Sequence, residues 1–147
     1  MKLWIVTFAC VIACLLSFSA QAQDSDADGV LDNVDNCRDL ANERQLDQDS
    51  DLFGDACDNC ILEPNTGQID SDADGYGNKC DADFTNDGIV GLPDFPIIVN
   101  CINMPGHGAR EECKFVDLNV DHRIDDVDFR LFSEAVGFPP GPSAFAP

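Results

Sequence analysis

Asp24-Ser25-Asp26-Ala27-Asp28-Gly29-Val30-Leu31-Asp32-Asn33-Val34-Asp35 sets carboxylates at positions 1, 3, 5, 9 and 12 of a twelve-residue stretch, with glycine at position 6. The spacing returns four more times. A second stretch offers Asp47, Asp49, Asp51, Asp55 and Asp58, and a third Asp70, Asp72, Asp74, Asn78 and Asp81. The fourth is leaner, with Asp83, Thr85, Asp87, Gly88 at position 6, Gly91 at position 9 and Asp94 at position 12. The fifth runs Asp117, Asn119, Asp121, Asp125 and Asp128.

Hard Ca²⁺ takes roughly six to eight oxygens, and a tight loop supplies them from alternate side chains, a backbone carbonyl at position 7 and a closing carboxylate at position 12. The position-7 carbonyls would come from Val30, Phe53, Tyr76, Ile89 and Arg123. Several carboxylates gathered around one point repel strongly unless a cation joins them. Acidic runs are ordinarily solvated, disordered segments. Five loops in one phase, three of them with glycine at position 6, point instead to bound calcium, about five ions in all. Every closing residue is Asp rather than the longer Glu, so affinities of about 10⁻⁴–10⁻³ M are expected, the range of extracellular modules.

Residues 1–22 are of another kind. Met1-Lys2 precedes an uncharged, largely apolar run from Leu3 to Phe18, and Ala20-Gln21-Ala22 has the small-residue form of a leader cleavage site. A secretory signal removed after Ala22 is expected. Lipoprotein processing at Cys14, after Val11-Ile12-Ala13, is the minor alternative. The run is short for a membrane span of about 20 residues, and export follows from each reading.

Cys10 and Cys14 leave with the leader, and Cys37, Cys57, Cys60, Cys80, Cys101 and Cys113 remain. An even set in an exported chain implies disulfides but leaves many pairings open. A repeat narrows them. Asp35-Asn36-Cys37, Asn42, Gln45 and Asp47 recur 23 residues later as Asp58-Asn59-Cys60, Asn65, Gln68 and Asp70. The simplest pairing is one bridge per unit, Cys37 with Cys57 and Cys60 with Cys80, and Cys101 with Cys113 beyond them. Cys57-Asp58-Asn59-Cys60 is a C-x-x-C only in outline, since it lies in no βαβ context and has no second thiol pair at zinc spacing.

Residues 24–81 resemble thrombospondin type 3 repeats in their Asp-x-Asp-x-Asp-Gly runs, their two Asp-Asn-Cys units and the endings Gly54-Asp55-Ala56-Cys57-Asp58 and Gly77-Asn78-Lys79-Cys80-Asp81. The resemblance implies a calcium-replete, disulfide-bridged ribbon, mostly irregular in secondary structure. Arg38 and Ile61 stand where the family's proline usually follows Asp-Asn-Cys, and Leu52 replaces glycine at position 6 of loop two. A leucine there is expected to disfavour the left-handed turn. Independently, the apolar residues Val30, Leu31, Val34, Leu46, Phe53, Ile69 and Tyr76 follow no period of 2 or 3.6, so metal and disulfides must supply the order.

The pattern changes after Asp83. Phe95, Ile98, Val99 and Ile102 follow loop four, and Phe129, Phe132 and Val136 follow loop five, at spacings that put apolar side chains on one helical face. The two units are offset by 34 residues. Helices too short to stand alone are expected to pack face to face. Residues 81–138 resemble a type I dockerin, a pair of calcium-loop-and-helix units without the entering helix of an EF-hand. Asp83, Thr85, Asp87, Gly88, Ile89, Val90, Asp94 and Phe95 carry the first half of the match, and Asp117, Asn119, Asp121, Ile124, Asp128 and Phe129 the second. The resemblance implies a cohesin-type partner. Loop positions 10 and 11, often small hydroxyl residues in that family, are Leu92-Pro93 and Asp126-Val127, and His122 replaces glycine in loop five.

The expected organisation is a leader at 1–22, calcium repeats at 24–81, an all-α dockerin-like module at 82–138 and a Pro/Gly-rich tail at 139–147 that continues as an extended stop. His107, in Pro105-Gly106-His107-Gly108, reads as an exposed turn. Net charge is −20. Loss of Lys2 adds one negative charge and five calcium ions neutralise ten, leaving roughly −11, which disfavours nucleic acid and anionic lipid as partners. No Ser-His-Asp motif or phosphate-cradling glycine loop is present, so catalysis is not expected. The primary functional reading is a secreted calcium-binding structural or adhesion module. A cohesin-binding assembly module and an extracellular calcium buffer or mineral-associated protein are the alternatives.

Overall fold

A computed structural model describes residues 23–103 and 110–146. The expected leader, its cleavage site, the Cys14 alternative and the turn around His107 lie outside them. The described residues hold two α-helices, α1 (Phe95–Ile102) and α2 (Asp126–Ala135), a 3-10 helix at Glu111–Val116, and no strand. Everything from residue 23 to 94 is turn, bend and loop. No helix among the described residues is long and apolar enough to cross a membrane.

Backbone bonds in the ribbon repeat with the period read from the sequence. Gly54 N–H donates to Asn36 O (3.0 Å) and Gly77 N–H to Asn59 O (2.9 Å); Asp55 N–H donates to Leu46 O (2.8 Å) and Asn78 N–H to Ile69 O (2.7 Å). Disulfides join Cys37 to Cys57 and Cys60 to Cys80 at matching places, and Cys101 to Cys113 beyond. The simplest pairing is the one formed. Of the described hydrophobic side chains before Ala82, only Cys37 and Cys60 are buried, while Leu31, Leu46 and Ile69 stay exposed. The ribbon has no oily interior to hold it together.

Among the described residues the core is confined to the second half. Ala82, Phe84, Val90, Ile98, Cys101, Cys113, Val116, Leu118 and Phe132 form one buried cluster. Ile98 and Phe132, equivalent under the 34-residue offset, are the buried residues of the two expected helix faces, and Phe84 stacks on Phe132 with ring centroids 5.8 Å apart. The helices themselves touch through Phe95 and Phe129, edge to face at 6.1 Å. Val136 departs from expectation. It lies just past the end of α2 and is half exposed, because the helix stops at Ala135 and Gly137 turns the chain at φ +91°.

Helix starts are shared with loop ends. Asp125 caps α2 by accepting from Val127 N–H, while Asp128 accepts from Asp125 N–H (2.8 Å), a reciprocal capping box. At α1 the equivalent Asp94 caps nothing with its side chain, whose oxygens take Thr85 N–H (2.9 Å) and Gly91 N–H (2.7 Å) instead; Pro96 opens that helix.

The tail differs from the extended stop the sequence suggested. It folds back over the ribbon, with Gly141 N–H donating to Cys80 O (2.9 Å), Ile61 N–H to Pro142 O (3.0 Å) and Ala144 N–H to Asp58 O (2.9 Å). Buried amides and carbonyls need partners, and these edge groups of the ribbon find them in the tail. A further tie runs from Asn78 Nδ2 to Lys114 O (2.7 Å).

Candidate calcium centres

Each loop is built from the same two hydrogen bonds. The position-6 N–H donates to the position-1 carboxylate in all five: Gly29 to Asp24 (3.1 Å), Leu52 to Asp47 (3.2 Å), Gly75 to Asp70 (3.1 Å), Gly88 to Asp83 (2.7 Å) and His122 to Asp117 (2.8 Å). The position-7 N–H donates to the position-5 carboxylate: Val30 to Asp28 (2.8 Å), Phe53 to Asp51 (2.8 Å), Tyr76 to Asp74 (2.8 Å), Ile89 to Asp87 (3.2 Å) and Arg123 to Asp121 (2.9 Å). One oxygen of each carboxylate is thereby fixed to the backbone, which turns the side chain inward. Closing the loop this tightly requires left-handed backbone at position 4 as well, at Ala27, Ser50, Ala73, Asn86 and Val120. No glycine marks that second left-handed position in any of the five loops.

In the first three loops the result is a triad of carboxylate oxygens. Asp24, Asp26 and Asp28 lie with one oxygen each within 4.8 Å of one another, as do Asp47, Asp49 and Asp51, and Asp70, Asp72 and Asp74. Position 3 of loops four and five is Thr85 and Asn119, and their acids form no such triad. Asp24 Oδ1, Asp26 Oδ2 and Asp49 Oδ2 are buried with no hydrogen-bond partner. A buried, unpartnered carboxylate oxygen is costly, and a hard cation among the triad would satisfy it. The donor set, all carboxylate oxygen, suits calcium.

The electrostatics say the same. Burial raises the position-3 carboxyls of Asp26, Asp49 and Asp72, the last to about 6, and the charges of neighbouring acids push in the same direction. Asp81, which closes loop three, is raised by burial and by Asp74 to about 8. Asp74, Asp117 and Asp128 are raised too, burial again the leading cause. These groups are held where a carboxylate is uncomfortable without a cation.

The expected ligands at positions 9 and 12 separate into two kinds. Both oxygens of Asp32 are engaged by Ser25, through N–H (2.7 Å) and Oγ (2.8 Å), and both of Asp55 by Gln48 (2.9 and 2.8 Å). Asn78 accepts from Ser71 N–H (2.9 Å). Position 9 is therefore a strut to position 2 and is not part of the triad. The closing Asp35 takes Cys37 N–H and Gln45 Nε2 on Oδ1 (both 2.8 Å), and Asp58 takes Cys60 N–H and Gln68 Nε2 on Oδ1 (both 2.8 Å). Their charges still bear on Asp26 and Asp49.

Gln45 and Gln68 are thus supports the pattern of acids did not reveal. Each amide oxygen also accepts the next N–H, from Asn36 and from Asn59 (both 2.9 Å). Asn42 N–H reaches back to Asp28 (2.8 Å) and Asn65 N–H to Asp51 (2.7 Å), so each loop is braced by the unit that follows it. The only trace of these roles in the sequence is their recurrence at 23 residues.

The profile of the thrombospondin type 3 repeat matches residues 13–45, 45–68 and 69–104. The chain belongs to that family. Thrombospondin type 3 repeats are extracellular, calcium-binding structural modules and not an enzymatic family. No curated protein matches the chain. The third matched segment of the repeat family runs on from loop three through loop four and α1.

Within this thrombospondin type 3 framework, Leu52 corrects the expectation drawn from its side chain. It adopts φ +86° and makes the turn after all, with its side chain 78% exposed. The bond from its N–H to Asp47 and the demands of the loop override the residue's preference. Left-handed backbone costs a non-glycine residue about 1–2 kcal/mol, and glycine forfeits part of that relief through unfolded-chain entropy. Leu52→Gly is accordingly expected to raise stability in saturating calcium by roughly 0.5–1 kcal/mol, read from the denaturant midpoint. A drop in the midpoint would show that Leu52 makes a contact worth more than its strain.

Proposed function

We propose that the chain is a secreted calcium-binding structural or adhesion module whose repeats serve as a stiff spacer. One observation carries this reading: three successive loops bring the acids at positions 1, 3 and 5 together, with buried oxygens left unpartnered in the first two. An ion in each would be held by Asp24, Asp26, Asp28 and Asp35; by Asp47, Asp49, Asp51 and Asp58; and by Asp70, Asp72, Asp74 and Asp81. The carbonyls of Val30, Phe53 and Tyr76 complete these shells, and position 9 contributes only through water. Asp83, Thr85, Asp87, Ile89 O and Asp94, and Asp117, Asn119, Asp121, Arg123 O, Asp125 and Asp128, would hold two weaker ions. Bound calcium supplies the positive charge that lets these carboxylates share a centre. A leader at 1–22 and the three disulfides fit an oxidising, calcium-rich exterior.

Calorimetric titration tests this reading directly. About five ions are expected, and no binding at millimolar calcium would sink it. The pH dependence has a definite sign. Asp72 and Asp81 have folded-state values raised to about 6 and about 8 in the metal-free chain. Their contribution to metal-free stability is full below the ordinary carboxyl value and is lost as pH rises through those raised values. Calcium must displace the retained protons, so affinity is expected to rise between pH 5 and 8, with proton release visible as a buffer-dependent heat.

A second reading, an assembly module at 82–138 that binds a cohesin-type protein, is favoured by the 34-residue offset, the pairing of Phe95 with Phe129 and the outward position of Leu92, 89% exposed in loop four. Capture by immobilised cohesin domains in calcium distinguishes it from the first.

A further inference from the structure

The tail meets the ribbon at places set by the calcium loops. Ala144 N–H bonds to the carbonyl of Asp58, the closing residue of loop two. Ser143 Oγ donates to the carbonyl of Gly75, position 6 of loop three, and Gly141 N–H to that of Cys80, position 11 of the same loop. Ile61 N–H, just past loop two, returns a bond to Pro142 O. The fit is close on both sides. A Cβ on Gly75 would lie 2.6 Å from the carbonyl oxygen of Phe145, and one on Gly141 would lie 2.7 Å from Cε1 of Tyr76.

We infer that residues 141–146 form a calcium-dependent latch, which fastens the helical half to the ribbon only when loops two and three are filled. The acceptors Asp58 O, Gly75 O and Cys80 O share one geometry only while the carboxylates around them are drawn together. Without the cation, mutual repulsion among Asp70, Asp72, Asp74 and Asp81 opens loop three, and the three acceptors lose their register with the tail. α2 ends at Ala135, so the strap from Gly137 onward transmits loop occupancy to the position of the helical core. Coupling of this kind is reciprocal: a tail that binds the filled loops better also raises their affinity for calcium. The latch rests on the calcium reading of loops two and three.

Amide hydrogen exchange on the full chain tests it, in millimolar calcium and in EDTA, with calorimetry on the same samples. The amides of Ile61, Gly141 and Ala144 are expected to exchange at least tenfold more slowly with calcium, a change within the usual span of coupled sites. Gly141→Ala sets a methyl against the ring of Tyr76 and removes no ligand atom, so it is expected to free the Ala144 and Ile61 amides and to weaken calcium binding roughly fivefold. Ala144→Pro, which deletes the N–H given to Asp58, is expected to act alike. Protection retained at Ile98 and Phe132 in both variants excludes general unfolding. Calcium binding with no change in tail exchange overturns the latch alone, whereas absence of calcium binding overturns the loop reading and the latch with it.

Discussion

Chelation under non-reducing conditions is expected to unravel residues 24–81 while leaving the helical core partly formed. The reason is the distribution of stabilising terms along the chain. Among the described residues before Ala82 the only buried hydrophobic side chains are those of Cys37 and Cys60, whereas Ala82 and eight residues after it make a continuous core around Ile98, Val116 and Phe132. An ion that binds only the folded loop contributes about 1.4 kcal/mol at a roughly tenfold excess over its dissociation constant. Three ribbon loops then contribute about 4 kcal/mol, with no apolar burial in the same segment to replace it. Removal also leaves Asp24 Oδ1, Asp26 Oδ2 and Asp49 Oδ2 buried without partners. The disulfides Cys37–Cys57 and Cys60–Cys80 limit how far the chain can spread, so the product is a loosened, cross-linked ribbon.

Tyr76 reports this change, being the single tyrosine of the chain and lying in loop three. Its fluorescence is expected to shift on addition of EDTA and to recover with calcium, while the helical circular dichroism signal falls by a smaller fraction. A Tyr76 signal indifferent to EDTA would mean that the ribbon holds together through its disulfides and amide braces alone.

The loops and the disulfides were legible because their chemistry demands particular residues at fixed separations. Alternation of Asp24, Asp26 and Asp28 predicts a shared centre whatever lies around it, and the recurrence of Asp-Asn-Cys at Asp35 and Asp58 predicts one bridge per unit. Helices were legible as faces, but their ends were not. Val136 continues the spacing of Phe129 and Phe132, yet Gly137 ends the helix first, a local backbone choice that periodicity cannot sense. The bracing of position 2 by position 9 left no mark of its own, because an Asp that binds an ion and an Asp that braces Ser25 or Gln48 are the same letter. Leu52 shows the converse, a residue whose preference argues against a turn that the surrounding bonds impose. The docking of the tail depends on carbonyls of Asp58, Gly75 and Cys80, and backbone acceptors leave no mark in a sequence.

Gly77→Ala is expected to be among the most damaging single methyls that the ribbon could receive. A Cβ there would lie 2.4 Å from Asn59 Oδ1, 2.8 Å from Asn65 Nδ2 and 2.8 Å from Cys60 Sγ. None of these can retreat cheaply. Cys60 is tied to Cys80, Asn59 donates to Gln68 O (3.1 Å) and Asn65 N–H holds Asp51, the position-5 acid of loop two. Forcing an extra carbon into a full site costs about 1–3 kcal/mol, and each buried polar group left without its partner adds about 1–3 kcal/mol. A loss of about 3–5 kcal/mol follows, with weaker calcium binding in loop two through the displaced Asn65. Gly54, against Asn36 and Cys37 in the preceding unit, faces the same conflict at 2.3 and 2.7 Å, so Gly54→Ala should behave alike. Gly67 is the control. Its nearest neighbour is a side-chain carbon of Ile69 at 3.4 Å, and Gly67→Ala is expected to change stability by less than about 0.5 kcal/mol. Denaturant midpoints in saturating calcium, followed by Tyr76 fluorescence, compare the three; equal midpoints for Gly77→Ala and Gly67→Ala would show that the repeat absorbs the methyl by shifting its amides, and that the Asn-Gln brace is softer than its geometry implies.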